Sequence, residues 1–526
     1  MKTAFQVRQS VLASTFAKNI FLVLFTIFAV NFYISYFYSD VFLKFREDNM
    51  TILILRENVG QFLQQRLPAG QHLEFEETIS EAKKAELLGL DDGISDEAKR
   101  IMKELNITNA GENGAPVIFP QNLSTEISKL KDLMYKTYGY NALASSMISL
   151  NRALPDNRSD YCKMKKYPKD LPKVSIIIQF HDDDWMLLMR TVHSILLRSP
   201  YHLIEEILLI HDVSEREYFK EKLENYIKKI PKIRLIRSHR RQGIISARIL
   251  GARNAVGPVL IFIDSHCEVT TGWLEPILAR FVEAPNAVLW GKISTMSPDT
   301  MQVWTNSEAG RIGSFRWNLN FEYMDVDWYE GDKPTPKFEP KPSVTILGAC
   351  FAIRKDFFHK IGLMDPDFDM WGGEDVELAF RAWMCGGRVE LIPCSVVAHM
   401  FKSHTYETKV KSQNSVLYNN DRIAEIWLDD EYKKYYYRSV GDTKNRDYGN
   451  ITERLELKKE LNCKSFKWYM ENVNPKRYVP DNLKDENWLK AQEDKKKKEE
   501  EDEKRKQEEE LKKNENDKTQ NDTKKA

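Results

Sequence analysis

The chain has 526 residues, and its 78 Lys and Arg residues balance its 78 Asp and Glu residues, so the formal net charge is zero. A balanced charge argues against a general nucleic-acid-binding protein, because such proteins usually carry a basic excess. Hydrophobic residues make up 42% of the chain, which excludes global disorder and is enough for one large or two ordinary domains. The 6 cysteines are too few for a disulfide scaffold but could cross-link a secreted enzyme.

The first feature along the chain is an apolar stretch of 19 nearly uncharged residues, Ile20–Tyr38. At about 1.5 Å per residue, a helix of this length approaches the roughly 30 Å thickness of a bilayer core. Basic residues precede it, which predicts a cytosolic tail at 1–19 and a lumenal remainder. A cleaved signal peptide is the alternative, but Ser35–Ser39 lacks a small-x-small cleavage site. We therefore predict a single-pass type II membrane anchor, followed by a stem of partial helices and linker over residues 39–140.

Two further patterns agree with a lumenal location. The cysteines are absent from the first 161 residues and show no CxxC spacing, which favours a few disulfide bonds over a zinc ribbon. N-x-S/T sequons on the predicted lumenal side predict a glycoprotein. They begin at Asn49, Asn106, Asn122, Asn157, Asn450 and Asn521.

The C-terminal segment, residues 481–526, consists almost entirely of Lys, Glu, Asp, Asn and Gln after Trp488. No apolar stripe runs through it, so we interpret it as a disordered tail or a solvated helix, with a partner-binding tail as the alternative.

The central block alternates short apolar runs with helical patterns. This β-α-β-α-β order predicts an α/β fold with a mostly parallel sheet flanked by helices. In such sheets, ligands bind outside the carboxyl ends of the strands. Polar residues collect at those ends, at 181–184, 211–212 and 264–266. The predicted strands are Val174–Phe180, Glu206–Ile210, Ile233–Ile236 and Val259–Ile263, and the predicted helices are Trp185–Leu197 and Gln242–Val256.

One strand end suggests a metal site. Asp264 and His266 are two positions apart after a buried strand, so their side chains project the same way and could share a divalent cation. A D-x-H pattern alone is weak, and Asp212 at another strand end could be a structural cap. No Walker loop or GxGxxG sequence occurs, which gives a P-loop NTPase or a dinucleotide oxidoreductase little support.

A second candidate segment is Trp371–Asp375 (WGGED), which precedes a helical pattern. Two glycines allow the backbone to approach a ligand closely, and two acids begin a helix where its dipole stabilises them. An ordinary capped helix is the alternative. His399 follows a β-rich run, where a histidine is more often a core or surface residue than a ligand.

Together these motifs resemble the polypeptide N-acetylgalactosaminyltransferases, which start mucin-type O-glycans. The resemblance implies a GT-A fold over residues 141–480, UDP-GalNAc as donor, Mn²⁺ as cofactor, protein Ser and Thr hydroxyls as acceptors, and a Golgi membrane location. It also implies retention of the anomeric configuration. The motifs that carry it are Leu154–Asp156, Val174–Pro200, Phe262–Pro276, Trp371–Gly387, Pro393–His399 and Phe466–Asn472.

The resemblance implies roles for individual residues. Asp264, His266 and His399 match the metal ligands of the family. Asp212 matches the acid that reads the uracil edge, and Arg241 matches a nucleotide-binding arginine.

On the sugar and acceptor sides, Trp371 and Glu374 match the donor pocket, and Glu374 is expected to orient the sugar. Phe401, with Phe315 and Trp317, resembles the aromatic groove that holds an acceptor peptide. The implied disulfide pairs are Cys162 with Cys394 and Cys385 with Cys463, which leaves Cys267 and Cys350 free.

Several positions depart from the family pattern. Gln179 stands where a small hydroxyl residue usually lies near the nucleotide. Lys402 replaces an arginine expected to clamp the diphosphate, so the charge remains but the bidentate fork is lost. Tyr406 follows in a short loop without the usual proline. Asp375 replaces a usual asparagine, and Ala349–Cys350 could crowd the sugar.

His211 also replaces the first acid of an Asp-Asp pair, and the sequence ends without the ricin-type lectin domain that is common in the family. We therefore consider three alternative hypotheses for the function of the chain. They are an active transferase, a catalytically weak or inactive pseudo-enzyme that acts as a Golgi binding protein, and a β-galactosyltransferase-like enzyme. The WGGED segment also resembles the last of these, but its metal signature is Asp-x-Asp, from which Asp264–His266 departs.

Overall fold

A computed structural model of the chain describes residues 81–156, 158–304, 311–330, 336–402, 409–441 and 446–477. The predicted anchor at 20–38, the stem up to residue 80, Tyr406 and the charged tail lie outside these residues. Across the described ranges, no helix combines the length and the apolar character that a membrane crossing requires. The chain divides into two compact units, 1–469 and 470–526, and of the second unit the structure describes residues 470–477.

Residues 81–164 form short helices before the sheet begins. The second and third of these helices start at serine caps, since the Ser95 and Ser124 hydroxyls accept hydrogen bonds from backbone amides three residues later, at 3.1 and 3.4 Å. The helices are α1 (Glu81–Leu88), α2 (Asp96–Glu104), α3 (Thr125–Tyr138), α4 (Ala142–Ser146) and α5 (Asp160–Met164).

This helical segment packs against the rest of the protein. Ile101 and Ile127 share one buried cluster with Met296 and Met400. The Val117 amide also donates a hydrogen bond of 2.8 Å to the Thr300 carbonyl. Partial helices were expected here, but the expectation of a linker does not hold for residues 81–140, because their apolar side chains are buried in one cluster with residues of the central block.

The central block contains the sheet and its covering helices. The strands are β1 (Val174–Phe180), β2 (Ile204–His211), β3 (Ile233–Arg237), β4 (Val259–Asp264), β5 (Cys267–Val269), β6 (Ala287–Met296), β7 (Val303–Trp304), β8 (Arg311–Phe315), β9 (Phe321–Asp325), β10 (Lys341–Pro342), β11 (Cys350–Arg354) and β12 (Arg388–Met400). The helices are α6 (Trp185–Arg198), α7 (Glu221–Ile227), α8 (Gly243–Asn254), α9 (Leu274–Glu283), α10 (Val326–Glu330), α11 (Lys355–Lys360), α12 (Glu374–Met384), α13 (Lys409–Trp427), α14 (Asp430–Ser439), α15 (Thr452–Glu460) and α16 (Phe466–Asn472).

The main sheet of the described residues has the strand order β10-β12-β6-β11-β4-β1-β2-β3, with β5 paired to β12 and β7 to β6. Strands β3, β2, β1 and β4 run parallel, as do β6 and β12, whereas β11 lies antiparallel between β4 and β6. The predicted α/β architecture is therefore confirmed, with β11 inserted antiparallel and with the short strands β5, β7 and β10 also pairing antiparallel. Strands β8 and β9 form a separate two-stranded sheet.

The parallel strands fix where polar residues gather. Gln179 pairs in register with Asp264, and Phe180 pairs with His211, so the carboxyl ends of β4, β1 and β2 lie side by side. Helix α8 packs closely on β1, since a Cβ atom at Gly251 would lie 2.5 Å from Cγ2 of Ile177. This close packing fixes the last turn of the helix on the sheet, while the Asp212 carboxylate accepts hydrogen bonds from the amides at its start.

Strand β12 brings a distant residue to that edge. It runs parallel to β6 with an irregular register between Ile392 and Val396, and its end pairs antiparallel with β5. His399 therefore lies opposite Cys267, one residue from His266.

Both implied disulfide pairs form, Cys162–Cys394 and Cys385–Cys463, with Cα–Cα distances of 5.4 and 4.2 Å. The remaining cysteines, Cys267 and Cys350, are free and buried, as the resemblance implied.

Candidate active site

Asp264, His266 and His399 converge at the carboxyl edge of the sheet. One carboxylate oxygen and one nitrogen from each ring lie within 4.8 Å of one another. Nε2 of His399 is 3.5 Å from Oδ2 of Asp264, and the two imidazole rings have centroids 4.8 Å apart. The predicted triad, drawn from positions more than 130 residues apart in the chain, is therefore assembled by the fold.

The electrostatics of these side chains suit a divalent cation. Burial, with Lys402 and His399 nearby, lowers the pKa of His266 to about 3, so this ring is neutral and able to coordinate. Burial alone would raise the pKa of Asp264, but a hydrogen bond from His399 and the charge of Arg248 lower it to about 2. Nδ1 of His399 is buried without a hydrogen-bond partner. One carboxylate oxygen with imidazole nitrogens is a donor set that fits Mn²⁺, so these residues fit the cofactor that the sequence implied.

Two neighbours hold the Asp264 carboxylate. Nε2 of Gln179 donates to Oδ1 at 2.7 Å, and Nη2 of Arg248 donates to the same oxygen at 3.1 Å. Gln179 was predicted to lie near the nucleotide, and the structure places its amide nitrogen on a predicted metal ligand. Its Oε1 atom is buried and has no hydrogen-bond partner.

Lys402 approaches the triad through an acid that the sequence did not single out. Its ammonium lies 2.5 Å from Oδ1 of Asp183, and both side chains are about nine-tenths buried. Oδ2 of Asp183 accepts a hydrogen bond from the Ser265 hydroxyl, between the two metal-ligand candidates. Burial alone would raise the pKa of Asp183, but the charges of Lys402 and His266, together with hydrogen bonds from Lys402 and Ser265, lower that pKa. Lys402 is therefore beside the site, as predicted for a diphosphate contact, but it already has an ion-pair partner.

Glu374 and Trp371 lie at the start of α12. Oε1 of Glu374 is 3.2 Å from Nη1 of Arg248, and Oε2 accepts a hydrogen bond of 3.1 Å from the Gly372 amide. Trp371 is 51% exposed, so its indole is open to a ligand. Burial and the Glu374 carboxylate raise the pKa of Asp375 to about 7.

The two glycines of this segment have a structural cause. Both have positive φ, 101° at Gly372 and 79° at Gly373. A Cβ at Gly372 would lie 2.6 Å from Val416, and one at Gly373 would lie 2.7 Å from Asn420. The close approach is to helix α13 of the same chain, which corrects the expectation that the glycines make room for a ligand.

Asp212 lies at the end of β2, one strand beyond Gln179, and Arg241 lies in the loop between β3 and α8. They form an ion pair with each other. The Asp212 carboxylate also accepts hydrogen bonds of 2.8 Å from the amides of Gln242 and Gly243, where α8 begins. These contacts are those of the structural cap that was the alternative for Asp212, and the nucleotide role of both residues stays a prediction. His211 pairs with Arg237, and burial with that positive charge lowers the pKa of His211 to about 4.

The aromatic residues divide into two groups. Phe401 is 46% exposed, and its ring centroid is 4.4 Å from that of His399, so it lies open at the edge of the triad. Phe315 is fully buried against Phe380, and Trp317 is 5% exposed and packs on Tyr435. The expectation that Phe315 and Trp317 line an open peptide groove is therefore wrong for this structure, because aromatic packing places both in the core.

Arg248 and Asp183 are the site residues that sequence reasoning missed. Asp183 belongs to the polar run 181–184 at a strand end, which carried a usable signal. Arg248 carried none, since a helix that contains two arginines gives no sign of which one is buried. Its side chain is fully buried, whereas Arg253 on the same helix is exposed.

Comparisons with known proteins relate the chain to glycosyltransferases. Residues 175–362 match the sequence profile of glycosyl transferase family 2, and residues 335–405 match that of the N-terminal domain of galactosyltransferase. The chain is 34% identical to a solved structure described as GalNAc-T7 with UDP, GalNAc and Mn²⁺, with a TM-score of 0.65 over 70% of this chain and 68% of that one. The two share a mixed α/β, GT-A-like fold with a mostly parallel central sheet.

Curated relatives extend the match. The chain is 42% identical over 374 residues to the putative polypeptide N-acetylgalactosaminyltransferase 9 of Drosophila melanogaster. The aligned region covers 71% of this chain and 57% of that protein. It is 40% identical over 384 residues to polypeptide N-acetylgalactosaminyltransferase 5 of Caenorhabditis elegans, covering 72% of this chain and 61% of that protein. The chain thus spans less than two thirds of these two relatives.

The human relative, polypeptide N-acetylgalactosaminyltransferase 13, is 40% identical over 390 residues, covering 73% of this chain and 68% of that protein. With the metal-ligand candidates converging in a fold of this type, the chain belongs to the polypeptide N-acetylgalactosaminyltransferase family.

Proposed function

We propose that the chain is a Mn²⁺-dependent, retaining glycosyltransferase that moves GalNAc from UDP-GalNAc to Ser and Thr hydroxyls of proteins, which initiates mucin-type O-glycosylation. The convergence of Asp264, His266 and His399 within 4.8 Å is the observation that supports it most directly. The ligands of the GalNAc-T7 structure, UDP, GalNAc and Mn²⁺, support the choice of donor and cation.

The proposal assigns a role to the cation and to four side chains near the triad: Lys402, Glu374, Trp371 and Phe401. When bound, the cation would supply Lewis-acid stabilisation of the negative charge that develops on the departing UDP. Lys402, beside Asp183, would add a positive charge on the same side. Glu374 would orient the sugar, and the exposed faces of Trp371 and Phe401 would position the sugar and the acceptor peptide.

The activity assay is direct. The full chain is incubated with UDP-GalNAc, Mn²⁺ and a panel of Ser/Thr peptides, and UDP release and peptide mass are measured. Activity that depends on Mn²⁺ and adds one N-acetylhexosamine to a hydroxyl, with an α-linked product, is expected. No UDP release from folded protein with any peptide would contradict the proposal.

The metal assignment has its own test. His266→Ala and His399→Ala should lose Mn²⁺-dependent UDP binding by calorimetry while the fold persists, because each removes one nitrogen donor. His359→Ala, at an exposed position on α11, is the matched control and should bind UDP normally. Unchanged UDP affinity in both site variants would refute the assignment.

We also propose that residues 20–38 anchor the protein in the Golgi membrane as a type II protein, with the catalytic domain in the lumen. Exposed sequons at Asn106, Asn122 and Asn450 support this orientation, since N-glycans are added only in the secretory pathway. Protease protection of the 81–477 region in intact microsomes tests it, and digestion of that region without detergent would overturn it.

A catalytically weak binding protein of the same fold remains the second candidate. Two observations favour it: Lys402 is already paired with Asp183, and the Asp212 carboxylate is occupied by Arg241, Gln242 and Gly243. UDP binding without UDP release would identify this candidate. The profile match at residues 335–405 supports a β-galactosyltransferase-like enzyme as the third candidate. A product with an inverted, β-linked sugar would identify that activity.

A further inference from the structure

We propose that Arg248 is a positioning residue that locks the metal-side carboxylate of Asp264 and the sugar-side carboxylate of Glu374 into one arrangement. The inference rests on the proposed function and adds to it a residue outside the predicted triad and donor pocket.

The guanidinium of Arg248 makes three contacts with three separate parts of the chain. Nη2 lies 3.1 Å from Oδ1 of Asp264 and 2.6 Å from the Gly348 carbonyl oxygen, and Nη1 lies 3.2 Å from Oε1 of Glu374. The Arg248 side chain is 0% exposed, and its charged end lies 5.4 Å from the ring centroid of Phe351. A planar, rigid fork can hold such separate acceptors at fixed angles, whereas a lysine ammonium cannot.

The hydrogen bonds also select which oxygen of Asp264 faces a cation. Arg248 and Gln179 both donate to Oδ1. Oδ2 is left on the side of His399, whose Nε2 atom is 3.5 Å away. The carboxylate is thus held from behind by one oxygen and presents the other to the imidazoles, which is how a second layer of residues orients a ligand.

Charge alone would predict the opposite effect of this arginine. A positive guanidinium that contacts a metal-ligand carboxylate repels an incoming cation, and the repulsion is strong at a buried site. Arg248 must therefore favour cation binding by fixing the geometry of two carboxylates and by compensating their burial; Asp264 and Glu374 are 15% and 7% exposed. Charge repulsion predicts that Arg248 lowers Mn²⁺ affinity, whereas positioning predicts that it raises Mn²⁺ affinity, so a measurement of that affinity distinguishes the two.

The experiment measures Mn²⁺ affinity in the full chain without nucleotide, by electron paramagnetic resonance of free Mn²⁺, for wild type, Arg248→Lys and Arg248→Met. We expect both variants to bind Mn²⁺ about tenfold or more weakly, the range found when an outer partner of a metal ligand is lost. If Arg248 acted through charge only, Arg248→Met would bind Mn²⁺ more tightly and Arg248→Lys would be unchanged. Either of those results would overturn the proposal.

The link to Glu374 has a separate readout. At saturating Mn²⁺, the ratio of UDP-GalNAc affinity to UDP affinity reports the sugar contacts alone. This ratio should fall in Arg248→Lys, because Glu374 loses the partner of its Oε1 atom. A ratio equal to that of wild type would overturn the coupling.

Controls separate positioning from general destabilisation. Arg381→Lys is the matched variant, since Arg381 is equally buried and forms a bidentate pair with Glu377 away from the triad. It should lose stability but keep its Mn²⁺ affinity. If the Arg248 variants do not fold, Gln179→Leu is the substitute, because it removes the other hydrogen-bond donor to Oδ1 of Asp264 without a change of charge. This variant should also bind Mn²⁺ more weakly than wild type. Normal Mn²⁺ binding would count against the proposal. A wild-type chain that binds neither Mn²⁺ nor UDP would instead refute the proposed function.

Discussion

Asp375 gives a stability prediction whose sign depends on pH. Its usual pKa is 3.8, and burial beside the Glu374 carboxylate raises that pKa to about 7 in the folded chain. Between these two values the unfolded chain has released the proton and the folded chain still holds it, so folding becomes less favourable as the pH rises. Below pH 4 the carboxyl is protonated in both states, and above pH 7 the full cost is present.

The neutral substitution Asp375→Asn removes this cost. The difference between 3.8 and about 7, at about 1.4 kcal/mol per pH unit, sets an upper limit of about 4 kcal/mol. Because the side chain is only partly buried, we expect the variant to be about 1–2 kcal/mol more stable than wild type at pH 8. The gain should shrink steadily between pH 7 and pH 4.

The assay is urea unfolding followed by tryptophan fluorescence at several pH values, with EDTA present so that no cation contributes. Asp356→Asn is the control of opposite sign, since a hydrogen bond from Arg354 lowers the pKa of Asp356 and stabilises its charged form. That variant should be less stable than wild type at pH 7, with a difference that fades as the pH falls. If the gap between Asp375→Asn and wild type did not change with pH, the raised pKa would be refuted.

Three shorter predictions follow from other parts of the structure. Replacing Cys385 and Cys463 by serine should lower the free energy of unfolding by about 3–4 kcal/mol in chemical denaturation, because the bridge closes a sequence separation of 78 residues. Gly251→Ala should cost about 1–3 kcal/mol in the same assay, since the added Cβ would lie 2.5 Å from Ile177 in a closely packed helix–strand contact. Asn106→Gln should reduce the apparent mass of protein made in eukaryotic cells, and an unchanged gel mobility would contradict glycosylation at this exposed sequon.

Local patterns were sufficient for the four strands β1 to β4, to within two residues at each end, and for the polar residues that follow them. The run Val174–Phe180 has the bounds expected from its apolar, β-rich composition. Asp264 and His266 could be proposed as ligands because an alternating backbone sends both side chains the same way. These inferences need only nearest neighbours in the chain, which a single sequence provides.

Long-range packing was beyond the sequence. His399 reaches the triad because β12 pairs with both β6 and β5, and a β-rich run alone specifies neither partner. Phe315 was assigned to an open groove, but its burial depends on partners such as Phe380, which lies 65 positions along the chain. Only the family resemblance, and no local pattern, identified His399 and the two disulfide pairs in advance.

The helices before the sheet have a practical consequence. A version of the gene trimmed to start at residue 141, the predicted beginning of the catalytic domain, would omit Ile101, Val117 and Ile127. Their removal would take three apolar side chains out of the buried cluster that contains Met400, the residue next to His399 on the strand that carries one of the three metal-ligand candidates. Recombinant protein intended for activity measurements should therefore begin upstream of Glu81, or its inactivity would reflect a damaged core and say nothing of the chemistry.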